Sequence, residues 1–225
     1  MKIFADIESI PEQPEAEAKA LIAETIQAPA AMKKAETIKD WHDGKGKYEG
    51  AKDRLIEETY RKGSFDGGKG EVISIAWSLE GDTVKNVYRP LQCDEGDMLR
   101  HFFKDVSDAT RGGNAYFIGH NITFDLKFLY HRAVVLGINP QFKIPFDGRH
   151  GNDYFCTMKA WAGYRDTISQ VNLCKALGFA GKPDDIDGSK VWDFVKAGKV
   201  ERVAEYNKGD VETVIKMYKK LNFLG

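Results

Sequence analysis

The chain of 225 residues contains 42% hydrophobic and 30% charged residues, and its formal net charge is −1. No apolar run reaches the roughly 18 residues of a membrane span, so a membrane-spanning protein is excluded, and the hydrophobic content argues against a disordered one. A charge near zero also argues against binding nucleic acid through bulk positive charge, although it is compatible with a local basic patch.

The N-terminus and the cysteines indicate the compartment. Residues 1–6 carry no apolar stretch of the kind found in signal peptides, and Cys93, Cys156 and Cys174 form no paired pattern. We therefore expect a cytoplasmic protein with reduced thiols and no membrane partner.

The first predicted element is a strand over residues 3–10, where the β-branched residues Ile3 and Ile7 alternate with other side chains. Residues 11–70 are rich in alanine, glutamate and lysine, which favour helices. We predict one domain over residues 1–225, with 11–70 as a helical insertion after the first strand. The insertion forms either solvated helices laid on the domain or a flap over the active site.

The elements after the insertion alternate between strands and helices. Residues 71–78 and 84–88 predict a β-hairpin. A short strand is predicted at 115–119, and helices are predicted at 97–106, 123–136, 170–177, 189–196 and 199–221. Because the strands come early and helices alternate with the later ones, the fold class is α/β, with a mixed β-sheet flanked by helices.

Two acidic residues project together from the first strand. Residues two apart in a strand point to the same side, so Asp6 and Glu8 share one face. Two like charges on a central strand are costly without a partner, whereas an edge strand would leave them in water. Both interpretations are compatible with these two residues alone.

Two further acids follow later in the chain. Asp125 lies where a strand ends and a helix starts, which is where sites assemble in open α/β sheets, or it is a first-turn acid favoured by the helix dipole. Tyr206 and Asp210 are four residues apart in the last helix, on the same face as Val203. A carboxylate on this core-facing stripe requires a counter-charge, unless the helix kinks at Gly209 and leaves Asp210 in water.

Together, these four acids would bring about four negative charges into one pocket, which two divalent cations would neutralise. Oxygen-only ligands select hard ions, Mg²⁺ or Mn²⁺, over zinc, and the five histidines lack the spacing of zinc ligands. A pair of such ions is the known arrangement for in-line displacement at phosphorus.

Three short motifs resemble those of the DEDD superfamily of 3′–5′ exonucleases, whose fold is ribonuclease H-like. They are Asp-Ile-Glu at 6–8, Asn121-x2-Phe124-Asp125 and Tyr206-x3-Asp210, in this order. The tyrosine places the resemblance in the DEDDy class, which includes the proofreading domains of family B DNA polymerases, because the sister class has histidine where this chain has Glu205. The stretch 177–192 is similar to the region before the third motif in stand-alone relatives. The resemblance covers residues 1–10 and about 70–222, and the chain is too short to hold a polymerase as well.

The resemblance implies a reaction and roles for individual residues. The reaction is hydrolysis of the 3′-terminal phosphodiester of single-stranded DNA, which releases nucleoside 5′-monophosphates. Asp6, Glu8, Asp125 and Asp210 would hold two Mg²⁺ or Mn²⁺ ions, and Tyr206 would orient the attacking water. Ser9 and Asn121 are candidates for contact with the 3′ nucleotide, and a modest basic track is a hypothesis for Lys127, Arg132, Lys159 and Arg165.

Alternative functions share the same acids. A 3′–5′ exoribonuclease or oligoribonuclease uses the same carboxylates, and discrimination would rest on contacts to the 2′-hydroxyl. A structure-selective endonuclease on this fold is a more distant alternative. The chain could also be a catalytically silent nucleic-acid-binding module, for which loss of one metal ligand would be the sign, but all four acids are present.

Overall fold

A computed structural model describes residues 1–180 and 185–224, and its centre is a five-stranded sheet in the order β3-β2-β1-β4-β5. The strands are β1 (Lys2–Ile10), β2 (Glu71–Leu79), β3 (Lys85–Tyr88), β4 (Tyr116–Gly119) and β5 (Tyr154–Cys156). The helices are α1 (Glu15–Thr25), α2 (Ala35–His42), α3 (Ala51–Lys62), α4 (Glu95–Thr110), α5 (Ile122–Val135), α6 (Thr157–Ala162), α7 (Gln170–Leu177), α8 (Val191–Lys196) and α9 (Val200–Leu221).

The sheet is mixed. β1 runs parallel to β4 and β4 parallel to β5, while β2 and β3 form an antiparallel hairpin. This confirms the predicted α/β class with a mixed sheet flanked by helices, as expected of a ribonuclease H-like fold. The first strand is the central one, so the edge-strand interpretation of its two acids is wrong.

Alternation along β1 separates the two faces of the sheet. Ile3 and Ile7 belong to a core formed with residues of α4 and α5, whereas Phe4 packs in a second core that includes Val211 and Val214 of α9. Because side chains alternate along a strand, the even-numbered residues of β1 point to the face covered by α9. This alternation aims the two acids of β1 at the helix that carries the third motif.

The chain divides into two compact units, one formed by Met1–Ser9 with Val72–Gly225 and the other by Ile10–Glu71. The second unit includes the predicted insertion 11–70, and the prediction of one domain with a helical insertion stays a prediction. Within it, Lys19 on α1 pairs with Glu57 on α3 and lies over the Tyr60 ring. The Tyr60 hydroxyl accepts a hydrogen bond from Gln13 Nε2 at 2.9 Å. These contacts hold α1 against α3, and the interpretation as a flap stays a prediction.

The structure describes only part of the stretch 177–192, which the sequence comparison singled out before the third motif. In the stretch 177–192, residues 181–184 lie outside the described residues, and Asp185 forms an ion pair with Arg202 of α9 at 2.7 Å. Within the part of the chain that is described, no helix combines the length and apolar character that a membrane crossing needs.

Candidate active site

Three carboxylates meet between the central strand and the last helix. One ligand oxygen from each of Asp6, Glu8 and Asp210 lies within 4.8 Å of the other two. Glu8 is 9% and Asp210 5% exposed, so solvent screens their charges poorly. Like charges this close repel one another unless protons, hydrogen-bond donors or a cation offset them, and an all-oxygen donor set fits Mg²⁺ or Mn²⁺.

Asp210 reaches the acidic group because it lies on the buried face of α9. Val203, Val211 and Val214 are fully buried on this face. The helix is unbroken through Gly209, and Asp210 faces inward. The kinked-helix interpretation of the third motif is therefore wrong.

Asp125 lies beside the three-carboxylate group. It sits in the first turn of α5, and its Oδ1 accepts a hydrogen bond of 3.2 Å from the backbone N–H of Ile7, the residue between the two acids of β1. Burial raises the pKa of the Asp125 carboxyl to about 8, and the neighbouring Asp210 carboxylate acts in the same direction. A carboxyl with a strongly raised pKa beside other acids is typical of functional sites, and it is compatible with a bound cation.

We expect the metal-free protein to lose stability as the pH rises from about 5 to 8. The unfolded Asp125 carboxyl ionises near pH 4, whereas the folded one keeps its proton to about pH 8. In this range the folded state binds more protons than the unfolded state, so the free energy of unfolding falls with pH. Because a bound cation replaces that proton, the rise in Tm caused by Mn²⁺ should grow over the same range.

Thermal unfolding from about pH 5.5 to 8.5, in EDTA and in Mn²⁺, tests this linkage. The Asp125→Asn variant is the control, and its Tm in EDTA should depend less on pH than that of the wild type. A Mn²⁺-induced rise in Tm that is the same at every pH would contradict the assignment of Asp125.

Tyr206 is one turn before Asp210 and is 8% exposed. A hydrogen bond joins its hydroxyl to Asp210. Burial, followed by the charges of Asp210, Glu8 and Asp6, raises the pKa of the phenol well above its ordinary value. The hydroxyl therefore stays protonated at neutral pH, so it can donate or orient but cannot act as a base.

Asn207 was not among the residues predicted from the sequence. Its Nδ2 donates to Asp6 Oδ2 at 2.7 Å, and its side chain is fully buried. The only local signal was its position four residues after Val203, which places a polar amide on the apolar stripe of α9.

The two candidates for nucleotide contact are close in sequence to residues of the site. Ser9 is half-buried on β1, directly after Glu8. Asn121 is exposed at the start of α5 with a φ of +60°, a left-handed conformation that asparagine tolerates better than most residues. The turn at Asn121 allows α5 to begin directly after β4, which brings Asp125 to the central strand.

The hypothesis of a basic track is wrong for Arg132. Its guanidinium is buried against the Glu95 carboxylate, with Nη2 to Oε2 at 2.6 Å, so it does not reach the surface. Lys159 donates to the Tyr154 hydroxyl at 2.9 Å, whereas Lys127 and Arg165 are exposed.

Comparison with known proteins gives one family. A family model described as a predicted 3′–5′ exonuclease related to the exonuclease domain of PolB matches residues 71–224. A search among curated proteins gave no match. The matched region contains Asp125, Tyr206 and Asp210, and β1 places Asp6 and Glu8 against it. The chain belongs to this family of predicted 3′–5′ exonucleases related to the exonuclease domain of PolB.

Proposed function

We propose that the protein hydrolyses the 3′-terminal phosphodiester of single-stranded DNA and releases nucleoside 5′-monophosphates in a metal-dependent reaction. The observation that carries this proposal is the group formed by Asp6, Glu8 and Asp210, which the fold assembles from two motifs 200 residues apart. Asp125 and Tyr206 adjoin it in the order of the exonuclease motifs.

The donor set fits two hard divalent cations. Asp6, Glu8, Asp125 and Asp210 would hold Mg²⁺ or Mn²⁺, since all four offer carboxylate oxygens and all but Asp6 are buried. When bound, the two ions would supply hydroxide from water at neutral pH and stabilise the charge on the departing 3′ oxygen. They would also change the formal net charge from −1 to about +3, with the added charge where a phosphate must sit.

The chain's own residues orient the reactants. In this proposal the Tyr206 hydroxyl, which is protonated and hydrogen-bonded to Asp210, holds the attacking water by a hydrogen bond. We propose that Asn121, which is exposed at the start of α5, contacts the terminal nucleotide. Single-stranded ends suit this composition, because the chain has no bulk positive charge to hold a duplex.

We expect Tyr206→Phe to bind Mn²⁺ as the wild type does and to cleave about 10- to 100-fold more slowly, because an orienting hydroxyl contributes less than full proton transfer. Single-turnover rates on a short DNA strand measure the effect. The pH–rate profiles of the two proteins should have the same shape, because the phenol does not ionise in this range. An unchanged rate would make Tyr206 a packing residue.

The proposal is tested with 5′-labelled single-stranded DNA and RNA of one sequence, each incubated with Mg²⁺, Mn²⁺ or EDTA. We expect a ladder of products shortened from the 3′ end on DNA, and no products in EDTA. The Asp210→Asn protein, purified identically, controls for a contaminating nuclease. Faster shortening of RNA would favour the exoribonuclease alternative. A single internal cut or degradation in EDTA would contradict the mechanism.

A further inference from the structure

A buried chain of hydrogen bonds connects Asp6 to the hairpin of β2 and β3. Asn207 Nδ2 donates to Asp6 Oδ2 at 2.7 Å, and Asn207 Oδ1 accepts from Ser74 Oγ at 2.8 Å. Asn86 Nδ2 donates to Ser74 Oγ at 3.0 Å and to the carbonyl of Ile75 at 3.2 Å. Ser74 and Asn207 are both fully buried, so water does not substitute for the bond between them.

The Ile75 carbonyl fixes the donor-to-acceptor direction of this chain of hydrogen bonds. A carbonyl only accepts, so the Asn86 amide must turn its nitrogen toward it and toward Ser74. The Ser74 oxygen then accepts from Asn86, and its own hydrogen is directed to Asn207 Oδ1. The nitrogen of Asn207 is thereby left facing Asp6.

The N–H of Asn207 donates to one oxygen of the Asp6 carboxylate. The bond holds the carboxylate in one orientation on the three-carboxylate group. Outer partners of this kind orient metal ligands, and their loss typically costs about 10- to 100-fold in metal affinity or activity. Asn207 is also three residues before Asp210, so one helix turn would supply both a ligand and the partner of another ligand.

We infer that Asn207 is a positioning residue, which Ser74 and Asn86 orient so that its amide presents the Asp6 carboxylate to a divalent cation. This inference rests on the proposed function, because it assumes that Asp6 binds a cation. The alternative is that Asn207 only fastens α9 to the sheet, in which case its loss would lower stability without changing metal affinity.

The test is Mn²⁺ binding to the full chain, measured by calorimetry and by loss of the free-ion paramagnetic resonance signal. Asn207→Leu keeps nearly the shape of the side chain and removes the donor, and we expect about 10- to 100-fold weaker binding. Thermal unfolding in EDTA shows whether the variant is folded. Asn172→Leu, the same change at an exposed position of α7, is the matched control and should bind Mn²⁺ as the wild type does.

Ser74→Ala removes a different member of the same chain of hydrogen bonds. It also keeps the inference testable if Asn207→Leu does not fold. Without the hydroxyl the Asn207 amide is less firmly oriented, so we expect about 3- to 10-fold weaker Mn²⁺ binding. The double variant should bind no more weakly than Asn207→Leu alone, because both changes break one chain. If the losses of Mn²⁺ affinity in the two single variants add up in the double variant, the result would contradict the inference.

The outcomes separate this inference from the proposed function. A wild-type protein that does not bind Mn²⁺ would overturn both. Wild-type binding that is lost in Asp210→Asn but unchanged in Asn207→Leu and in Ser74→Ala would overturn the positioning role alone. Activity supplies a second readout: high Mn²⁺ concentration should restore much of the Asn207→Leu rate, which a merely structural defect would not allow.

Discussion

We expect Asp210→Asn to lower the rate of 3′-end hydrolysis by more than the roughly 100-fold that loss of an outer partner costs, because it removes a metal ligand itself. The backbone carbonyl of Asp210 accepts from Gln170 Nε2 at 3.0 Å, and the substitution keeps that bond. Replacing a carboxylate in the group with Glu8 and Asp6 also relieves like-charge repulsion. The variant should therefore unfold in EDTA at the same Tm as the wild type or a higher one.

Two measurements check this expectation on the same samples. The rate is measured on 5′-labelled DNA at saturating Mn²⁺, and the Tm is measured with and without the ion. Wild-type Tm should rise with Mn²⁺, whereas that of Asp210→Asn should change little. A variant that kept near-normal turnover, or that lost activity only because it unfolded, would contradict the ligand assignment.

The second large effect concerns stability. Arg132→Met should lower the free energy of unfolding by about 3–5 kcal/mol, because it leaves the charge of Glu95 buried without its partner. Arg132 is 7% and Glu95 6% exposed, and Glu95 Oε1 also accepts from the backbone N–H of Val72 at 2.7 Å. This carboxylate connects α4 and α5 to β2, on the face of the sheet opposite α9.

Denaturant unfolding in EDTA measures this change, and the chain offers a matched control. Arg100 forms an ion pair with Asp97 at 2.7 Å, but the two side chains are 52% and 78% exposed. Arg100→Met should therefore change the free energy of unfolding far less than Arg132→Met does. Equal losses for the two arginine variants would contradict the role given to burial.

Local patterns were sufficient to predict most of the structure. Alternation places Asp6 and Glu8 on one face of β1, and the four-residue spacing places Tyr206 and Asp210 on one face of α9. Both patterns depend only on residues close in sequence. They predicted the α/β class and the residues that the fold assembles into the acidic group.

The features missed from the sequence depend on length or on distant contacts. β5 has three residues, which are too few to show the alternation of a strand. α6 has six residues, which are too few for the periodicity of a helix to be recognised. The bond from Asn207 to Asp6 joins residues 201 apart. Arg132 looked like a surface cation because Glu95, its partner, lies 37 residues earlier on another helix.

The meaning of the net charge follows from the site. A formal charge of −1 argues against tight, non-specific binding of a duplex. It is compatible with an enzyme that acquires local positive charge only when cations occupy the group of Asp6, Glu8 and Asp210. DNA binding should accordingly depend on Mn²⁺ or on another divalent cation such as Ca²⁺.

The most direct measurement of the central claim is a crystal structure of the protein with Mn²⁺ and a nucleoside 5′-monophosphate, with the anomalous signal of manganese recorded. Two anomalous peaks should lie within ligand distance of Asp6, Glu8, Asp125 and Asp210, with the phosphate of the nucleotide against them. Manganese bound elsewhere, or no peak at these carboxylates at a concentration that supports DNA hydrolysis, would contradict the account.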